Sequence, residues 1–158
     1  GSFYEFFNQK EFNTKTDLDI NFVQDNISYS KQGVLRGLHY QVSPMQQGKL
    51  VGVLNGEVID VVVDIRKNSE TYGKYIKEII SSKNKKQLWI PPGFAHGFYT
   101  LSENTIFFYK TTNFYSKEHE KTLVWNDASL NIDWGIVGKP ITSKKDTSGQ
   151  PIYGNDIL

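Results

Sequence analysis

Apolar and polar positions alternate along this chain in short runs rich in β-branched and aromatic residues, a pattern typical of β-strands. Turn-forming residues separate the runs. The predicted strands cover residues 20–30, 33–41, 49–54, 57–65, 71–80, 87–90, 95–101 and 105–112. Short helical turns are expected only at 9–12 and near 127–130, and the chain after Trp134 is predicted to be loop.

Two features of this pattern indicate how the strands are arranged. Asn55-Gly56 lies between two apolar runs and is the strongest hairpin signal in the chain. Residues 58–64 are nearly continuously apolar, with Asp60 and Asp64 set among them, as expected for a strand covered on both faces. The series of short strands predicts a sandwich or barrel, and we interpret the chain as an all-β jelly-roll barrel with polar residues facing its interior.

The strand that contains Val34 to Tyr40 carries both a guanidinium and an imidazole. Strict alternation places Arg36 on one face and His39 on the other, because strand side chains have a period of two. Such groups are costly to bury on a hydrophobic strand, so they favour a cavity with a polar lining over a plain core. A strand twist, a β-bulge near Gly37 or the long reach of Arg36 around the rim would let both side chains reach one cavity.

Length, charge and cysteine content narrow the class of protein. A chain of 158 residues is predicted to form one domain, over residues 1–158. The net charge of +1 leaves no basic excess for nucleic acid or a membrane surface. With no cysteine, the chain has no disulfide or thiolate metal site, which fits a cytoplasmic protein. No apolar run approaches the roughly 20 residues that span a bilayer.

Three histidines are the first candidates for chemistry. Taken alone, His39 or His96 would more often be a structural histidine than a functional one. His96 follows the turn Pro91-Pro92-Gly93, which points it into a barrel mouth. Taken together, the two histidines are accompanied by Arg, Lys and Tyr residues. Together these neighbours favour a functional site. His119 lies in a charged run and is expected on the surface.

Other side chains leave alternatives open. From the sequence alone, Tyr109 fits core packing as well as a functional role, and Asp146 would ordinarily be a solvated loop acid. Arg36, Lys49 and Lys145 suit an anionic ligand. The sequence has no His-x-His pair, no nucleophile elbow and no glycine-rich phosphate loop, so metal-dependent, serine-hydrolase and phosphate-loop chemistry are disfavoured.

These residues occur together in a pattern that resembles the dTDP-4-dehydrorhamnose 3,5-epimerase family, enzymes of nucleotide-sugar biosynthesis. The resemblance covers almost the whole chain in order, and VLRGLHYQ and NKKQLWIPPGFAHGF are its most specific segments. The matching stretches are residues 22–26, 34–41, 47–51, 56–67, 84–98, 109–112, 125–127, 132–134 and 140–146. It implies a double-stranded β-helix jelly roll, cupin-like, that forms a homodimer and needs no metal or other cofactor.

The resemblance also implies roles for individual residues. His39 corresponds to the general base and Asp146 to its orienting partner, while Tyr109 corresponds to a proton donor on the opposite face of the sugar. Lys49 would stabilise the enolate. The remaining positions match contacts to a thymidine diphosphate sugar, some of them reaching a neighbouring subunit, and Tyr115 matches the aromatic that stacks on thymine. They are Glu5, Gln24, Asn26, Arg36, His96, Tyr115, Glu120 and Lys145.

The function implied is inversion of C3 and C5 of dTDP-4-keto-6-deoxy-D-glucose to give dTDP-4-keto-L-rhamnose. The nearest alternative is an enzyme of the same family that inverts only C3 or only C5, or that takes another nucleotide sugar. The others are a non-catalytic sugar-nucleotide binding barrel and a metal-dependent isomerase or oxygenase. Two positions depart from the family pattern. Gly1 falls on the glycine of a family Asp-x-Arg-Gly segment, so a short N-terminal segment with a phosphate-contacting arginine is expected to be missing. Phe114 stands where relatives often have a second tyrosine.

Overall fold

The computed structural model describes residues 1–153 and contains two antiparallel sheets. The strands are β1 (Gln24–Ser30), β2 (Leu35–Gln41), β3 (Lys49–Asn55), β4 (Glu57–Asp64), β5 (Tyr75–Ser81), β6 (Gln87–Ile90), β7 (Phe94–Thr100), β8 (Thr105–Thr111) and β9 (Glu120–Thr122). One sheet has the order β1-β8-β3-β6 and the other β5-β4-β7-β2-β9. The helices are α1 (Gln9–Thr16) and α2 (Lys144–Thr147), and within the described residues no helix could cross a membrane.

The prediction of a nearly all-β chain is confirmed, with differences at the ends of elements. The first and fifth strands begin later than predicted, at Gln24 and Tyr75, and β9 was not predicted. Helix α1 begins at the predicted residue, where Asn8 caps its first turn by accepting a hydrogen bond from the Glu11 N–H at 3.1 Å. It continues past the predicted 9–12 to Thr16 and ends at Asp17, which has a left-handed conformation. Residues 154–158 of the predicted domain lie outside the described residues.

The predicted hairpin at Asn55-Gly56 is wrong. Strand β3 pairs with β6 and β8, whereas β4 pairs with β5 and β7, so the turn connects strands of different sheets. The residues after the turn are held by a neighbouring loop, where Ser102 Oγ accepts from the Glu57 N–H at 2.8 Å. An Asn-Gly turn specifies a local chain reversal, and the strands it joins still pair according to their burial.

Strand β4 is covered on both faces, as its sequence predicted. Val58 and Val62 face the space between the sheets, where they join a cluster with Val51, Val53, Ile80, Ile90, Phe98 and Phe107. Ile59, Val61 and Val63 pack on the other side, in a cluster that includes Leu123, Leu130, Trp134 and Ile152 from the C-terminal segment. The inner face therefore carries both acids of the strand, Asp60 and Asp64, and both are buried.

A β-bulge in β2 brings Arg36 and His39 to the same face. Arg36 lies opposite Phe98 on β7, and His39 lies opposite His96. The three steps from Arg36 to His39 match only two steps on β7, so β2 carries one extra residue there. This register shift confirms the bulge near Gly37 as the way both side chains reach one cavity.

We expect Gly37→Ala to destabilise the fold by about 3 kcal/mol or more. The φ angle of Gly37 is +128°, and an added Cβ would lie 2.5 Å from Gly97 Cα. Gly138→Ala is the matched control. Gly138 also has a positive φ, +80°, but no atom of the described residues lies within 4 Å of the added Cβ. Urea unfolding of both variants tests this: equal losses would show that the close approach of β2 and β7 carries no cost.

Candidate active site

A cavity of about 290 Å³ opens between the two sheets. Eight of the predicted site residues line it, from both sheets and from the loops at its mouth: Arg36, His39, Lys49, His96, Tyr109, Tyr115, Glu120 and Lys145. Ser28, Gln47, Phe98 and Phe107 complete the wall. The cavity therefore combines an aromatic, hydrophobic inner end with a strongly polar lining, as expected for a small-molecule site.

Helix α2 places Asp146 directly behind His39. Oδ1 of Asp146 lies 2.9 Å from His39 Nε2, a distance typical of an ion pair, although the angle is not that of a directed hydrogen bond. The same oxygen accepts from the Gly37 N–H at 2.9 Å, and Oδ2 accepts from the N–H and hydroxyl of Ser143. Asp146 thus joins α2 to the bulge of β2. Active-site contacts of this kind often tighten only when substrate binds.

Electrostatics favour a neutral His39 beside an ionised Asp146. Burial lowers the pKa of His39, and this outweighs the opposing effect of Asp146. Burial alone would raise the pKa of Asp146, but the close contact with His39 and the hydrogen bonds from Ser143 and the Gly37 N–H together hold that pKa well below its usual value. At neutral pH the imidazole can therefore accept a proton while the carboxylate stabilises the charge that forms.

Lys49 reaches across from the other sheet. Its Nζ donates to the backbone oxygen of His39 at 3.2 Å, and the residue is only 8% exposed. Burial lowers the pKa of Lys49 to about 8, with Lys145 acting in the same direction and Glu120 and Asp60 opposing it. A buried ammonium that is still mostly protonated near neutral pH is suited to stabilise an anion that develops in the cavity.

Tyr109 lies on β8, opposite the sheet that carries His39. It packs beside Phe107, with ring centroids 6.3 Å apart. Burial raises the pKa of Tyr109, and the carboxylate of Glu120 adds to the effect. The phenol therefore keeps its proton at neutral pH and can donate it into the cavity.

His96 is paired with a buried acid that the sequence did not single out as a site residue. Its Nε2 lies 2.8 Å from Oδ2 of Asp60, which is fully buried on β4. The imidazole stacks on Phe107 with ring centroids 5.9 Å apart. The sequence signal was present, because an acid within the apolar run 58–64 needs a buried partner.

A network of polar side chains lies at the cavity mouth. The Tyr115 hydroxyl donates to Glu120 Oε2 at 2.9 Å, and Lys145 Nζ donates to Glu120 Oε1. Gln24 accepts from the Tyr115 N–H at 3.0 Å and donates to Asn26 at 2.9 Å. Gln24 and Asn26 thus hold the Tyr115 loop from behind and do not line the cavity wall.

Some predicted residues lie at the edge of the site or away from it. Arg36 lines the rim of the cavity, where its Nε donates to Ser30 Oγ at 3.2 Å. Glu5 lies in a separate groove with Phe6, Phe12 and Gln87. His119 is half-buried outside the cavity, with its Nδ1 2.7 Å from Ser116 Oγ.

Helix α2, which carries Asp146 into the site, was not predicted from the hydrophobic pattern of the sequence. Residues after Trp134 were expected to be loop, yet Ser143 and Asp146 form a reciprocal capping box around a four-residue helix. The Ser-x-x-Asp spacing was the available signal.

Among residues 1–153, no three His, Asp or Glu side chains converge as metal ligands, and the chain has no cysteine.

Comparisons with known proteins agree on one family. A family model described as dTDP-4-dehydrorhamnose 3,5-epimerase matches residues 1–153. The chain is 54% identical to the dTDP-4-dehydrorhamnose 3,5-epimerase of Shigella flexneri over 158 residues, which cover 100% of this chain and 87% of that protein. The protein of that name from Pseudomonas aeruginosa is 51% identical, with the same coverage of both chains.

Solved structures give the same result. The dTDP-6-deoxy-D-glucose-3,5-epimerase of Legionella pneumophila, crystallised in complex with dTDP-4-keto-L-rhamnose, superposes with a TM-score of 0.94 at 48% identity, covering 98% of this chain and 81% of that one. A 3′-monoepimerase from Streptomyces bikiniensis in complex with dTDP-quinovose has a TM-score of 0.87 at 26% identity, covering 94% and 75%. The fold is therefore common to double epimerases and to a monoepimerase.

Proposed function

The chain belongs to the dTDP-4-dehydrorhamnose 3,5-epimerase family, and on that premise we propose that the 290 Å³ cavity holds its active site. The reaction inverts C3 and C5 of dTDP-4-keto-6-deoxy-D-glucose and gives dTDP-4-keto-L-rhamnose. The observation that supports this site best is the placement of two proton-transfer groups on opposing sheets. His39, backed by Asp146, faces a cavity that Tyr109 lines from the other side.

His39 acts as the general base. The 4-keto group acidifies the hydrogens on C3 and C5, and a neutral imidazole of suitable pKa can remove either. Asp146 lies at Nε2, so Nδ1 is the nitrogen that takes the proton. The ionised carboxylate then stabilises the imidazolium. This is the role that a buried aspartate has beside a catalytic histidine in other enzyme classes.

Lys49 stabilises the enolate oxygen that forms when the proton leaves. Its ammonium is buried beside the His39 backbone, so base and cation are held close together. A fixed charge in a water-poor cavity stabilises a developing anion more than the same charge would in water.

Tyr109 returns a proton to the carbon from the opposite face and thereby inverts the centre. Its raised pKa keeps the phenol protonated until the enolate is present. Solvent then restores the protonation states of Tyr109 and His39. No step of this reaction, as proposed, calls for a cofactor.

The cavity mouth is suited to the nucleotide. Arg36 and Lys145 offer charge-assisted hydrogen bonds to the diphosphate, and the half-exposed ring of Tyr115 offers a stacking surface for thymine. Gln24 and Asn26 fix the loop that carries this ring.

The strand order of the two sheets supports a double-stranded β-helix jelly roll that forms a single domain. The assembly that we propose is a homodimer, in which Glu5 would serve the partner's cavity, since it lies outside its own. We place the enzyme in the cytoplasm, in line with its lack of cysteine.

Turnover in deuterated water tests the proposed reaction. A double epimerase incorporates label at both C3 and C5 of the product, because each carbon exchanges a proton with the enzyme or solvent. Label at one carbon alone would show a monoepimerase, and no label with tight substrate binding would show a non-catalytic barrel.

The rate should have a bell-shaped dependence on pH. Activity is lost on the acid side as His39 becomes protonated, below its ordinary pKa of 6.5, and on the alkaline side as Lys49 loses its proton near pH 8. In Lys49→Arg the alkaline limb should move upward by more than one pH unit, because arginine stays charged. The measurement is kcat of the variant as a function of pH. If its alkaline limb remained near pH 8, Lys49 would not be the group whose titration causes that limb.

A further inference from the structure

Asp60 is buried in a way that the fold alone does not explain. It is 0% exposed and lies on the inner face of β4 between the apolar side chains of Val58 and Val62. Burying a carboxylate among such neighbours is costly unless it is paired. Among the described residues, one of its oxygens, Oδ1, has no hydrogen-bond partner. An unsatisfied buried group in a folded protein calls for an explanation, and a role in a functional site is one such explanation.

The other buried acid of the same strand shows the contrast. Asp64 accepts hydrogen bonds from Arg66, Ser69 and Thr71 at 2.6 to 2.9 Å, and both of its oxygens are satisfied. These partners tie the loop after β4 to the sheet. Asp64 therefore has a structural role, while Asp60 has no comparable set of partners in the part of the chain that the structure describes.

Within residues 1–153, the side chain that pairs with Asp60 belongs to the cavity wall. Oδ2 lies 2.8 Å from His96 Nε2, and the His96 side chain is 8% exposed where it lines the cavity. Phe107 stacks against the same ring. The orientation of the imidazole is thus fixed by a carboxylate on one edge and an aromatic ring on one face.

His96 is also the direct cross-strand neighbour of His39. Two histidines side by side on the cavity wall, each with its own buried aspartate, must nevertheless do different things. Both have Nε2 beside an acid, which leaves Nδ1 for the cavity. His39 already serves as the base in the proposed reaction, so the Nδ1 of His96 is left to accept a hydrogen bond from the sugar.

We propose that Asp60 is a positioning residue that acts through His96. It keeps the proton of His96 on Nε2, so that the Nδ1 lone pair faces the cavity and accepts a hydrogen bond from a hydroxyl group of the substrate sugar. The proposal rests on the proposed function, since it assigns the sugar to this cavity.

Asp60→Asn tests the proposal, with Asp64→Asn as the matched control on the same strand. Asparagine has nearly the shape of aspartate, but its amide can donate to Nε2 and so permits the other tautomer of His96. We expect KM to rise about tenfold with kcat nearly unchanged, because the hydroxyl contact is made in both the ground state and the transition state. Asp64→Asn should lower the unfolding temperature and leave KM unchanged.

Imidazole ¹⁵N NMR of the substrate-free protein provides a readout that a purely structural role would not move. His96 of the wild type should carry its proton on Nε2, and Asp60→Asn should shift the population toward the Nδ1–H tautomer. A wild-type His96 with its proton on Nδ1 would overturn the proposal, even if the variant failed to fold. A KM within twofold of the wild-type value would also overturn it.

These outcomes separate this proposal from the proposed function. The tautomer of His96 is measured without substrate, so the result does not depend on whether the protein catalyses the proposed reaction. If the wild-type protein showed no label at C3 or C5 in deuterated water, the proposed function would fail while the Nε2–H tautomer could still be observed.

Discussion

His39→Ala is expected to lower kcat by a factor of about 10² to 10⁴, the usual contribution of a positioned general base. The imidazole is the group that we assign to remove the proton from carbon, and alanine has no group that could replace it. The fold should survive, because the Asp146 carboxylate keeps the N–H of Gly37 and both donors of Ser143. Initial rates at saturating substrate, with a thermal unfolding curve of the same sample, measure both effects.

His119→Ala is the matched control for this experiment. His119 is half-buried and lies outside the cavity, with Ser116 as its partner. Its variant should turn over the 4-keto sugar at the wild-type rate. If His39→Ala also retained a rate near that of the wild type, His39 would not be the base.

Asp146→Asn should lower kcat by a comparable factor, about 10² to 10⁴, with a smaller effect on stability of about 1–3 kcal/mol. The amide cannot stabilise an imidazolium, and it can donate to Nε2, which moves the proton of His39 to Nδ1 and blocks the nitrogen that should act as base. The kcat of the variant, corrected for the folded fraction, measures the loss.

Asp127→Asn provides the control for Asp146→Asn. Asp127 is also a buried carboxylate that accepts a backbone N–H, that of Ile152 at 2.7 Å, together with the hydroxyl of Ser129. It lies away from the cavity, so its variant should lose stability but not activity per folded molecule. Equal losses of activity in the two variants would mean that Asp146 acts only through the fold.

The pH dependence of stability follows from the same carboxylate. The folded-state pKa of Asp146 lies below its ordinary value of 3.8. The ionised group therefore stabilises the fold above about pH 4, and this contribution is lost as the pH falls toward the folded-state pKa.

The strands could be predicted from the sequence because alternation and β-branched residues act locally. The pairing could not, as Asn55-Gly56 illustrates: its turn chemistry is clear, but the strands it joins find partners in different sheets. Strand β9 is only three residues long and is formed by pairing with β2, so its own sequence carries little signal.

For the site as well, the residues that take part could be predicted, but their arrangement could not. The resemblance indicated which side chains to expect, including Asp146, which by local sequence is an ordinary loop acid. Alternation alone placed Arg36 and His39 on opposite faces, and only the register shift between β2 and β7 brings them together. Asp60 was visible as an acid in an apolar run, but its pairing with His96 depends on the neighbouring strands.

The central claim is that His39 and Tyr109 act on opposite faces of the sugar ring. A crystal structure of the complex with a thymidine diphosphate 4-keto sugar, or with its product, tests it most directly. We expect the sugar in the cavity, with His39 Nδ1 facing one side of the ring, Tyr109 Oη facing the other, and Lys49 Nζ beside the C4 oxygen. A sugar bound outside the cavity, or His39 and Tyr109 on the same face of the ring, would contradict it.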